Sequence, residues 1–267
     1  LGIITLSIVS CNKIDEEQPN DNEVTLQYRV SCDALTKSIG YGKAVNYVSY
    51  AVYLKRGDSY DFVSSYRPVA FSATGEAICP VVLAKDQTYK VVFVAQHYNE
   101  KGESTYTVDF RNKMLTMPAE AVANSENYDL FHNVSDIIEF NGTQHEPVEL
   151  VRIVAQVNLY CSQKNWEEAI RSGRAPEYSD ITIDRVPVSF NLIDGTVSAD
   201  TKTVTYSKDS VPGNAHLAYA YCLAGGTADA MIRLYKNNTD NDPFVITSAE
   251  IPVEKNKMTK IHGAIIY

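Results

Sequence analysis

From residue 24 onward, apolar and polar side chains alternate over short runs, and turn-forming residues break the alternation about every ten positions. In Val24 to Cys32 the residues Leu26, Tyr28, Val30 and Cys32 share one face, and Gln27, Arg29 and Ser31 share the other. A period of two places successive side chains on opposite faces, which only a half-buried strand can use. Val45 to Leu54 repeats the pattern, as do the shorter runs Val69 to Phe71, Cys79 to Leu83 and Thr105 to Phe110. Tyr89 to Ala95 is almost continuously apolar, as expected of a central strand. The 18 Tyr outnumber the 8 Phe and 1 Trp together, and rings with a polar tip suit pleated, partly wet surfaces.

Only two segments read as helices. Met117 to Asn124 has Pro118 at a first-turn position followed by good helix formers. Ser162 to Ser172 begins on a capping residue, spaces Trp166 and Ile170 four apart, and meets Gly173 as a stop. The chain is therefore expected to be all-β. Its 267 residues suffice for about two domains, read as tandem β-sandwiches over 24–146 and 147–267. The turn-rich stretch Phe140 to Pro147 marks the boundary, and Val148 to Tyr160 reads as one long strand opening the second half.

The front of the chain has a different character. Residues 1–10 are uncharged and apolar or small, too short to cross a bilayer as a helix, and match the apolar core of a signal peptide whose start is missing. They end in Ile8, Val9, Ser10 and Cys11, which is the order of a bacterial lipobox. Cys11 is the expected lipid attachment point, carrying acyl chains such as palmitate into an outer membrane. Residues 11–23 hold five acidic side chains against one Lys and read as a solvated tether. An acidic run after the lipid-bearing Cys resembles the surface-export signal of Bacteroidetes lipoproteins.

The expected chemistry is binding rather than catalysis. Lys plus Arg is 24 and Asp plus Glu is 33, a formal net charge of -9, which disfavours a phosphate-backbone ligand. HExxH, CxxC, GxSxG and the phosphate-loop sequence are absent, so no enzyme, metal or cofactor is expected. Leu223 to Gly226 is glycine-rich without the dinucleotide-binding order and reads as a loop. Four cysteines remain besides Cys11. Cys32 with Cys79 and Cys161 with Cys222 are candidate disulfides in an oxidising envelope, and buried free thiols are the alternative. Arg152, set in an apolar strand pattern, either pairs with a carboxylate or points to solvent.

Four segments carry a family resemblance. They are Val91 to Gln96; Asn124 to Phe131, with its Asp129-x-Phe131; Leu150 to Val157, with Arg152 and Ala155; and Ile251 to Gly263, with Asn256 and Thr259. In this order, behind a lipobox, they resemble the fimbrillin-like lipoproteins of Bacteroidetes, related to type V pilus subunits and minor fimbrial antigens. The resemblance implies two transthyretin-like Greek-key sandwiches and a surface-exposed, lipid-anchored subunit acting in adhesion or pilus assembly. Its partners would be other pilus subunits or copies of itself. It also implies strand exchange: proteolysis after the first strand frees Val24 to Cys32, and a strand from another subunit refills the groove. Lys37 stands near the expected cleavage point, where such relatives carry Arg, so an Arg-specific protease would not cut here. The chain ends at Ile265 to Tyr267, with little extra sequence to donate, which suits an anchor, tip or nonpolymerising member. The rival reading is a glycan-binding surface lipoprotein of a polysaccharide-uptake system, which would need an exposed aromatic platform of three coplanar rings in a cleft.

Overall fold

The computed structural model describes residues 23–32, 44–137 and 145–265. The architecture is all-β. Its strands are β1 (Glu23–Cys32), β2 (Tyr47–Arg56), β3 (Ser59–Ser65), β4 (Val69–Ala70), β5 (Glu76–Ala84), β6 (Tyr89–Gln96), β7 (Thr107–Asp109), β8 (Met114–Thr116), β9 (Ala121–Val122) and β10 (Leu130–Ile137). They continue with β11 (His145–Arg152), β12 (Val154–Tyr160), β13 (Tyr178–Pro187), β14 (Ser189–Asn191), β15 (Thr201–Ser210), β16 (His216–Leu223), β17 (Gly226–Tyr235), β18 (Phe244–Val253) and β19 (Met258–His262). One α-helix, α1 (Gln163–Arg171), follows β12, and a single 3₁₀ turn spans Glu126–Tyr128.

The largest sheet runs β3-β2-β6-β10-β11-β1-β5, with β4 added to β2. Facing sheets run β16-β12-β19 and β18-β17-β13-β15-β9, and a small sheet joins β14, β8 and β7. Pairing crosses the turn-rich stretch 140–147 in both directions. β11 lies against β1 and β10, while β8 and β9 pair with β14 and β15.

Alternation explains how the large sheet is covered on two sides. Val91, Phe93 and Ala95 of β6 join Tyr50 and Val52 of β2 in a core with β1 and β5. Val92 and Val94 of β6, with Ala51 and Tyr53 of β2, enter a second core shared with β12, β13, β16 and β17. The apolar run Tyr89 to Ala95 thus serves a strand buried on both faces.

The helix at 163–171 forms as its signals predict. The Ser162 hydroxyl accepts from the Asn165 N–H at 3.1 Å, and Gly173 leaves the helix at φ 69°. Ile170, however, faces solvent, and Ala169 is the buried residue of this helix. The predicted helix at 117–124 does not form. Its backbone is taken by tertiary partners: Ala123 N–H donates to Ser207 O at 3.0 Å and Asn124 N–H to Tyr219 O at 2.9 Å. Asn124 itself sits at φ 58°, a region Asn tolerates better than most residues. Val148 to Tyr160 is likewise not one strand. It breaks at Ile153, whose N–H donates to Leu130 O at 3.1 Å, so that β11 and β12 enter different sheets.

Arg152 stands at that break. It is 1% exposed, and its guanidinium meets Asp129 in a two-pronged pair: Nε donates to Oδ1 at 2.6 Å and Nη2 to Oδ2 at 2.8 Å. Nη1 donates to Asn256 Oδ1 at 3.0 Å, and the guanidinium lies 4.7 Å from the Phe131 ring centroid. Asn256 adopts φ 57° and donates its own N–H to Val154 O at 3.0 Å, which brings the β18–β19 turn to the pair. Burial raises the Asp129 carboxyl above its ordinary value, and the guanidinium opposes that rise. Burial also works against the Arg152 charge, and Asp129, aided by Tyr221 and Glu126, more than restores it. Tyrosine hydroxyls tie the surrounding segments: Tyr106 donates to Tyr128 O at 2.6 Å, Tyr219 to Asn124 O at 2.7 Å, and Tyr221 to Glu126 Oε2 at 2.7 Å.

Two histidines are packed as neutral rings. His132 donates from Nε2 to Leu192 O at 2.9 Å and meets Phe190 edge-on. His216 stacks on Tyr160 with ring centroids 4.4 Å apart. Burial pushes both down to about 4.

Removing one partner of the buried pair leaves an uncompensated charge. Asp129→Ala is therefore expected to cost about 3–5 kcal/mol, read from urea midpoints. The apolar double replacement Asp129→Leu/Arg152→Met should cost less than that single change. A loss below about 1 kcal/mol for Asp129→Ala would contradict the assignment. The histidines make the fold acid-sensitive. Their folded pKa values lie below the ordinary 6.5, so the unfolded chain binds protons first as pH falls. Their contribution is complete above pH 6.5 and is lost as pH falls from 6.5 to 4. The urea midpoint should decline across that window, and His216→Phe should flatten part of the decline; a slope unchanged in the variant would contradict the burial argument.

Candidate functional site

β1 occupies an unusual position for a first strand. It lies inside the large sheet, second from the edge, with hydrogen-bonded neighbours on both sides. On one side it pairs antiparallel with β5 from Glu23↔Ala84 to Ser31↔Glu76. On the other it runs parallel to β11 from Gln27↔His145 to Cys32↔Leu150. β5 forms a backbone ladder with no other strand among the described residues, so β1 alone joins it to the sheet by main-chain pairing; from β2 and β6 only the hydroxyls of Tyr50 and Tyr89 reach it, donating to Pro80 O at 2.9 Å and Ala84 O at 3.3 Å.

The side chains follow the period of two. Val24 is 9% exposed, Leu26 1%, and Tyr28 and Val30 0%. They pack with Ala77, Cys79, Val81 and Leu83 of β5 and with Val148 and Leu150 of β11. The Tyr28 ring meets Phe93 edge-on with centroids 5.1 Å apart. Burying four such side chains contributes on the order of 6–12 kcal/mol. The other face of β1 is polar, with Arg29 exposed and Thr25, Gln27 and Ser31 half-buried. Taking β1 away would therefore open a slot with four apolar pockets in its floor and unpaired backbone on both β5 and β11. Such an edge pairs readily with another strand.

Arg152, which the sequence left either paired with a carboxylate or pointing to solvent, closes the end of this region. Its neighbour along β11, Leu150, pairs with Cys32 at the end of β1. The partner carboxylate is Asp129, and Asn256 completes the set. Thus Asp129 and Phe131, Arg152, and Asn256 come from three of the four segments that carried the resemblance and converge on one spot. The fourth ends nearby at Gln96, fully buried, whose Oε1 accepts from the Tyr106 N–H at 2.6 Å and whose backbone pairs with Leu130. Sequence reading left the carboxylate unnamed because the two members are 23 positions apart with no local pattern linking them. The signal that could have found it was a lone Asp at the head of an apolar strand, the counterpart of the lone Arg in its own apolar strand.

Cys11 and Lys37 lie outside the described residues. The four remaining cysteines are free thiols, and strand register explains why. Ser31 opposes Glu76, so Cys32 aligns four residues from Cys79, about 13 Å away and beyond disulfide reach. Cys222 opposes Ala155, six residues along β12 from Cys161, about 20 Å away. The pairings Cys32–Cys79 and Cys161–Cys222 are therefore set aside. Cys79, Cys161 and Cys222 are buried, Cys32 is half-buried, and burial pushes the thiols of Cys32, Cys79 and Cys222 up to about 12. None is poised as a thiolate. Among the described residues no group of three or more His, Cys, Asp or Glu side chains could hold a metal ion, and no helix is long and apolar enough to cross a membrane.

Solved structures with the same fold come from Bacteroides and Parabacteroides species. A protein of Bacteroides thetaiotaomicron designated polysaccharide-binding (DUF1812) superposes with a TM-score of 0.55 at 13% identity, over 84% of this chain and 80% of that one. A protein of Parabacteroides distasonis designated a cell adhesion protein gives 0.54 at 12% identity, over 90% and 87%. A second cell adhesion protein of that organism gives 0.50 at 12% identity, over 91% and 93%. At these identities the likeness establishes the fold. No curated protein matches the chain. A family model, described as a family of unknown function (DUF6562), matches residues 16–266, and the chain belongs to that family.

Proposed function

We propose that this chain is a surface-exposed adhesin or fimbrial subunit that works by associating with other protein chains, held to the outer membrane by lipid on Cys11. The observation that carries the proposal is the docking of β1: the first strand among the described residues is set between β5 and β11, with Val24, Leu26, Tyr28 and Val30 buried below it. A strand held by backbone pairing on both sides and by evenly spaced pockets is replaceable by any strand of matching pattern. The exchange conserves hydrogen bonds, so its balance rests on how well the incoming side chains fill the four pockets. The cell adhesion proteins of Parabacteroides distasonis that share the fold support the same reading.

Cleavage between β1 and β2, at Lys37, would convert β1 from a covalent part of the sheet into a bound peptide. Once released, β1 would leave an empty slot costly enough to favour capture of another chain. The subunit would then take a strand from another chain without new side-chain chemistry, and its stability afterwards would come from the strand it receives.

The test is limited trypsin digestion of the folded chain, followed by unheated denaturing gels. Nicking at Lys37 should yield a ladder of higher species. Adding excess synthetic peptide with the sequence of residues 23–32 should suppress the ladder. A nicked product that stays monomeric without added peptide would overturn the strand-exchange reading.

A further inference from the structure

A cleft of about 760 Å³ lies on the large sheet away from β1, at the start of β2 and the end of β6. This volume is in the range that holds small-molecule ligands, roughly 300–1,000 Å³. Tyr47 and Tyr98 line it, with ring centroids 5.3 Å apart and planes inclined at 57°. Two rings at that angle make a corner rather than a flat platform, which suits one pyranose ring and its neighbour better than a long chain.

The polar lining has the complementary chemistry. Arg67, Glu100 and His97 all border the cleft. His97 Nδ1 lies 2.9 Å from Ala44 O; that carbonyl can only accept, so Nδ1 donates and the ring is held with its Nε2 edge away from that bond. Arg67 and Glu100 make no ion pair among the described residues. A guanidinium donates in a fork and a carboxylate accepts on two oxygens, so the two together match vicinal hydroxyls, which both accept and donate. One positive and one negative group also leave the lining without net charge, which favours an uncharged ligand.

The cleft is built in advance. Asn46 donates from Nδ2 to Tyr98 O at 2.8 Å and accepts the Tyr98 N–H on Oδ1 at 2.8 Å. Asn99 Oδ1 accepts the N–H groups of Lys101 and Glu103 at 2.9 and 3.0 Å, fixing the loop that carries Glu100. A wall held this way loses little freedom when a ligand arrives.

We infer that this cleft is a binding site for a neutral saccharide, with Tyr47 and Tyr98 packing on the sugar ring and Arg67 and Glu100 holding adjacent hydroxyls. The site adds a glycan-binding activity to the association role proposed above and does not depend on it, because none of its residues belongs to β1.

Saturation-transfer NMR on the intact chain tests the inference, with methyl glucoside, methyl galactoside, methyl mannoside, their β-linked disaccharides and methyl glucuronide as probes. At least one neutral probe should receive saturation. Arg67→Ala and Glu100→Gln should each weaken its binding at least tenfold with an unchanged thermal melt, and trypsin-induced ladders should persist in both variants. Saturation of the glucuronide alone, of none of the probes, or equally in wild type and both variants would overturn the site.

Discussion

Moving a guanidinium out of water costs several kcal/mol, and only a partner in good geometry offsets it. Arg152 meets that requirement through Asp129 and Asn256, and the geometry exists only when three distant stretches are in place together. Asp129 precedes β10, Arg152 ends β11 and Asn256 sits in the turn before β19. Each stretch also passes into backbone pairing beside the ion pair: Ile153 to Leu130, Asn256 to Val154 and Gln156 to Lys257. The pair contributes specificity more than bulk stability, because a chain folded in any other register leaves one of the two charges buried alone.

Around this point the two cores share a wall. β2 and β6 supply Tyr50 and Phe93 to one core and Tyr53, Val92 and Val94 to the other. The first strand, by contrast, feeds only the core on its own side, where it is bounded by β5 and β11. Under the strand-exchange proposal, that asymmetry would divide the fold into a permanent part and a replaceable strand. The strands around Arg152 are committed on several sides, whereas β1 is fastened by pairing and by four side chains.

Much of this was legible in the residues. The alternation of Val24 to Cys32 placed β1 to within one residue, because one face meets a core and the other meets water. The unbroken apolar run at Tyr89 to Ala95 marked a central strand, and Ser162 and Gly173 bounded α1 through local capping chemistry. The failures share a cause. Met117 to Asn124 has a helical composition, yet β15 and β16 claim its backbone, and no local signal reports a partner some 85 to 95 positions away. Val148 to Tyr160 looks continuous because both strands are apolar; the single N–H of Ile153 that turns to Leu130 leaves no trace in hydropathy. The disulfide candidates were close in pattern but misaligned in register, which depends on pairing between strands and not on either strand alone.

If the buried pair and the shared wall make one cooperative body, its two ends must unfold together. Trp166, the single tryptophan, packs against the core that includes β12 and β16 and reports on that end by fluorescence. Hydrogen exchange of the peptide covering β6 reports on the other. Followed across the same urea series, the two probes should give coincident midpoints. Exchange of β6 at urea concentrations where Trp166 fluorescence is still native would contradict the account.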